Sequence, residues 1–128
     1  MNSLNDSYEV IGRILAKLIL NGLRRQRLEP NHVMENVDSD ATHHFVDVME
    51  WLRNEGLVTS QAQYTDGSYF GAQLTAKGIA AVERGSFDGS TSIRETVEAK
   101  PGGLTSDSYG KIGSLIGGLI GGFAQSAQ

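Results

Sequence analysis

A chain of 128 residues, 39% hydrophobic with a formal net charge of −4, fits one globular domain with room for a short appendage. It holds no cysteine, which excludes disulfide frameworks, cysteine zinc sites and thiol nucleophiles. The N-terminus is polar and Arg13 and Lys17 interrupt the first apolar run, so neither a signal peptide nor a spanning helix is expected and the localisation read is cytoplasmic.

In chain order, Asp6 reads as an N-cap with Glu9 three residues on, opening a helix over Ser7 to Leu20. Its apolar residues cover about half the circumference, a stripe wide enough for a core helix with surface to spare for a partner or for the C-terminal tail. Asn21-Gly22 ends it, and Arg24, Arg25 and Arg27 follow in a basic loop able to touch phosphate. After Pro30 a short helix is expected over about 31–37, with Val33, Met34 and Val37 inward. Asp38-Ser39-Asp40 then caps a long helix from Asp40 to Glu55, whose Phe45, Val48, Met49 and Leu52 recur at helical spacing. Gly56 is its stop. Tyr64-Thr65-Asp66-Gly67 is the strongest turn signal, joining strands Leu57 to Tyr64 and Ser68 to Leu74 in a hairpin. Thr75 caps a further helix with Ile79, Ala80 and Val82 inward.

A helix ending in Asn54-Glu55-Gly56-Leu57-Val58, a hairpin, then Leu74-Thr75-Ala76-Lys77-Gly78 resembles the pattern of bacterial winged helix-turn-helix proteins. The resemblance spans about residues 7–84. It implies an α+β, mostly helical fold of three helices, a β-hairpin wing and a following helix, forming a domain over residues 1–84. It also implies that the helix Asp40–Glu55 would enter a DNA major groove.

Residues 85–110 are rich in Gly, Ser and Thr and read as a linker, with one short helix possible at 93–99. Residues 111–128 form a tail in which Ile112, Leu115, Ile116, Leu119, Ile120 and Phe123 share a stripe flanked by Gly113, Gly117 and Gly121, and by Gly118 and Gly122. Five glycines cost an isolated helix about 4–5 kcal/mol, so this segment is helical only if something packs on it. Ile112 to Phe123 makes about 18 Å of helix, short of a roughly 30 Å hydrocarbon core. Three fates are open: self-association or packing on a partner, docking on the chain's own core, and a membrane surface.

No chemistry-bearing pattern stands out. His43 and Asp47 lie one helical turn apart but no third ligand is placed, so no metal is expected. There is no nucleophile elbow and no phosphate loop, so no catalytic residue, cofactor or small-molecule substrate is expected. Two functions compete, with membrane-surface association through the tail as a third. In the first, a non-enzymatic winged-helix module acts through protein association, as a homo-oligomer or with a protein partner. Its surface would comprise Ile11, Leu15 and Leu18 of the first helix and Ile112, Gly113, Leu115, Ile116, Gly117, Leu119, Ile120, Gly121 and Phe123 of the tail over 111–124. In the second, a dimeric DNA-binding regulator uses helix 40–55 and the 57–74 wing, with Arg24, Arg25, Arg27, Thr42, His43, His44 and Lys77 as contacts. Charge divides them: residues 31–60 carry six acids against Arg53 alone, the reverse of what phosphate prefers.

Overall fold

A computed structural model describes residues 3–84 and 86–126, the last six of these by backbone alone. The fold is α+β and mostly helical, with a small antiparallel sheet. Helix α1 (Leu4–Leu20) starts one turn earlier than its sequence suggests. Ser3 is the N-cap, and Asp6 is the acid of a capping box rather than the cap itself: the Ser3 side chain accepts from the Asp6 N–H at 3.1 Å, and the Ser3 N–H donates back to Asp6 at 3.0 Å.

The stretch read as a basic loop contains a strand, β1 (Gln26–Leu28). Only the Leu28 side chain needs burial there, which is too short an alternation to register as a strand. The helix expected over 31–37 is a single 3-10 turn, Pro30–His32. Val33 and Met34 do face the core, but Val37 is exposed, because the chain leaves helical geometry before reaching it.

Helix α2 (Ser39–Asn54) is capped by Asp38, which accepts from the Ala41 N–H at 2.8 Å. Its end is a Schellman motif: the Leu57 N–H reaches the Leu52 carbonyl and the Gly56 N–H the Arg53 carbonyl, with Gly56 at φ +76°. The wing strand expected from Leu57 to Tyr64 is broken into β2 (Val58–Thr59) and β3 (Ala62–Gln63), both paired with β4 (Tyr69–Leu74). Gly71, at φ +65°, lies between the stretches of β4 that pair with them. β4 is central, with β1 on its other side.

Thr75 opens α3 (Ala76–Arg84), its hydroxyl accepting from the Gly78 N–H at 3.0 Å. Ala81 and Val82 are buried, while Ile79 and Ala80 are only partly so. Next comes the segment read as a linker. It carries a hairpin, β5 (Ser86–Asp88) and β6 (Thr91–Ser92), and helix α4 (Ile93–Ala99), whose Ser92 and Glu95 form a capping box. Ile93 and Val97 lie in the same core as α1 and α2. Ile93 and Val97 are a faint signal in a segment rich in glycine and serine, but four residues apart they lie on one face of a helix.

Residues 111–126 of the tail lie within helix α5 (Ser106–Ser126), which docks along α1. A Cβ on Gly12 would overlap the Tyr109 carbonyl, and one on Gly113 the Tyr8 carbonyl. The pairs 12/109 and 8/113 run in opposite senses, so the helices are antiparallel and nearly in backbone contact. Two fully buried isoleucines, Ile112 and Ile116, contribute roughly 3–6 kcal/mol, enough to offset the about 4–5 kcal/mol that the glycines cost.

Candidate functional site

Most of the apolar stripe expected to mediate association is spent inside the monomer. Ile11, Leu15, Leu18, Ile112 and Ile116 are all buried, and Gly113 faces the Tyr8 backbone. Leu115, Leu119 and Ile120 are partly buried against the same core, and Gly117 lies beside the Tyr8 ring. These residues do not form a free surface. Gly121 and Phe123 fall on α5, and their surroundings lie outside the described residues.

The residues expected to touch DNA are scattered. His44 is 6% exposed, its Nε2 2.9 Å from the Ser7 hydroxyl across the α1–α2 contact, so it faces α1 and is not presented to a DNA major groove. One signal was available for this: His44 continues the four-residue series of Val48 and Leu52. Thr42 is partly covered by the hairpin turn, where a Cβ on Gly67 would come within 2.8 Å of the Thr42 methyl. The turn thus folds back on the start of α2. Lys77 donates to the Glu55 carbonyl at 2.7 Å and so caps the end of α2. His43 is exposed, on a helix that also presents Asp40 and Asp47.

The arginines are better grouped. Arg25 donates to the Gln73 side chain at 3.0 Å, and Arg27 lies 4.8 Å above the Phe70 ring while pairing with Glu29 at 2.7 Å. Tyr64 sets its ring edge against Phe70 with centroids 4.7 Å apart. Together they cover the solvent side of the sheet, opposite the buried Leu28, Tyr69 and Ala72.

Among the described residues, two apolar grooves stand open. One, of about 460 Å³, lies where α1, α2 and α5 meet, lined by Leu4, Tyr8, Val48, Trp51 and Gly117 with Ser7, His44 and Asp47. The other, of about 230 Å³, lies between the C-terminal end of α1, α3 and α4. Ile19, Leu74, Ile79 and Val82 form its apolar lining, and Glu83, Arg94 and Glu98 stand at its mouth. Arg94 binds both Glu83 and, at 3.3 Å, Glu98. Leu23, 64% exposed, stands at the edge of this groove, and Leu20, 45% exposed, ends α1 just before it. Sequence reasoning missed these leucines, because a leucine just past an Asn-Gly helix stop carries no sign of whether it is covered.

Comparison with known proteins gives no matching family model, no matching curated protein and no matching solved structure. The functional reading therefore rests on the surfaces just described. Among the described residues no group of three His, Cys, Asp or Glu side chains is placed to hold a metal ion. Among them, too, no helix is long and apolar enough to cross a membrane.

Proposed function

We propose that this chain is a non-enzymatic winged-helix module that acts through protein association, with its contact surface at the C-terminal end of α1. The winged-helix part of the reading is supported by the order α1, β1, α2, hairpin, α3 and by β4 pairing with β1 on one side and β2 and β3 on the other. It departs from that pattern where a 3-10 turn stands in place of the second helix. The observation that carries the association reading is the pair Leu20 and Leu23, exposed beside an apolar groove. Exposed leucines contiguous with an apolar concavity and rimmed by charge are a recurrent feature of protein contact sites. A photo-crosslinking residue placed at position 23 in cells tests this. An adduct from position 23 and none from the exposed Gln61 is expected, and no adduct at position 23 overturns the reading.

A second reading, nucleic-acid binding, is favoured by one observation: Arg25 and Arg27 share a sheet face with Tyr64 and Phe70, with Arg24 just ahead of them. Cations with aromatic rings suit phosphates and unstacked bases. On this reading the sheet, not α2, would be the contact. Glu29 and Asp66 beside Arg27 weigh against it.

A further inference from the structure

The Leu23 surface carries both halves of a contact. It has an exposed apolar knob, Leu23, and an apolar hole of about 230 Å³ at the knob's edge. It also has charge of both signs. Arg24 follows the knob, exposed and with no carboxylate partner among the described residues. At the mouth of the hole, Glu83 and Glu98 both pair with Arg94, so the charged groups of the lining are two carboxylates and one guanidinium. A patch holding knob, hole, cation and anion together is self-complementary, and self-complementarity is what a two-fold contact between identical chains requires.

We infer that the full chain forms a two-fold dimer in which Leu23 of each copy enters the groove between α1, α3 and α4 of the other. This rests on the association reading above and names its partner as a second copy. The same operation carries each Arg24 toward the other copy's Glu83–Arg94–Glu98 cluster, pairing the unpartnered cation with a carboxylate of that cluster. The larger groove at the other end of α1 also has an exposed leucine at its edge, Leu4, but the one charged group in its lining is Asp47. A two-fold contact there would set carboxylate toward carboxylate, which disfavours it.

The test is sedimentation equilibrium of the full chain across a concentration series up to millimolar, with far-UV circular dichroism confirming that each variant is folded. A monomer–dimer equilibrium is expected. Leu23→Asp should raise its dissociation constant by at least roughly 30-fold, since burial of a leucine side chain is lost from each copy. Arg24→Glu should weaken the dimer, and adding Glu98→Lys to the same chain should restore it, an outcome that a purely structural role for either residue would not give. A chain that stays monomeric throughout overturns the inference, and so does a dimer indifferent to both Leu23→Asp and the charge exchange. If the purified chain is monomeric while position 23 crosslinks to a different protein in cells, the dimer fails and the association reading stands. If position 23 gives no adduct at all, the association reading fails as well.

Discussion

Tyr69 shows how one side chain ties the sheet to α2. It is fully buried, its ring edge meets Phe45 with centroids 6.1 Å apart, and its hydroxyl donates to Glu50 at 2.9 Å. Arg53 donates to the same carboxylate at 2.8 Å. Burial first, and then the bond to Glu50, push the Tyr69 hydroxyl well above its ordinary value of 10.0. For Glu50, burial acts upward, but the hydrogen bonds from Arg53 and Tyr69 outweigh it and hold the carboxyl below 4.5. The signs are opposite. The folded state keeps Tyr69 protonated longer than the unfolded chain does, so its contribution is complete below pH 10.0 and is lost as pH rises toward the folded value. Glu50 contributes above pH 4.5 and its contribution is lost as pH falls through its lower folded value. Tyr69→Phe should cost roughly 1–2 kcal/mol at neutral pH. Urea unfolding across pH should also show the alkaline loss of stability reduced in the variant. An unchanged alkaline limb would mean that Tyr69 is not held protonated by its burial and its bond to Glu50.

At the scale of elements, the docking of α5 on α1 accounts for glycine at position 113. Gly113 faces α1 and Gly118 faces open space, though both are glycines of the same helix. Gly113→Ala should force the helices apart and destabilise the chain by about 1–3 kcal/mol, the usual cost of overpacking. Gly118→Ala should stabilise it by up to about 1 kcal/mol, because alanine is the better helix former and meets nothing. Thermal unfolding of the two variants should therefore shift in opposite directions, and a gain in both would refute the docking. The four-residue glycine spacing was legible in the sequence and correctly signals close helix approach. Which helix approaches was not legible, since Tyr8 and Gly12 lie about a hundred residues away and spacing on one helix says nothing of its neighbour.

At the scale of the whole molecule, charge placement is the main constraint on partners. With a net charge of −4 and acids concentrated on residues 31–60, the chain should pass through heparin at low salt with little retention. Strong retention that is abolished by replacing Arg24, Arg25 and Arg27 with alanine would instead favour the nucleic-acid reading of the sheet face. In the folded chain α2 is still less suited to a DNA groove than its charge alone suggests, because His44 turns inward and the hairpin turn covers Thr42. The self-complementary patch at Leu23 is likewise a whole-molecule property, assembled from α1 and the loop after it, α3 and α4.

By itself the sequence determined the two long central elements, the stop at Gly56, the turn at Asp66-Gly67 and the Thr75 helix start. Each is written in neighbouring residues: caps, positive-φ glycines and apolar spacing act over a few positions and need no distant partner. Tertiary structure alone decided that β1 exists, that residues 93–99 belong to the core, that His44 is buried against Ser7, and that the tail folds onto α1 and does not remain free. Those outcomes depend on burial against segments far along the chain, and burial is a property of the assembled fold that no local window contains. The same reason separates the surface that looked adhesive in the sequence, whose described residues pack against the chain's own core, from the one that remains open at Leu20 and Leu23.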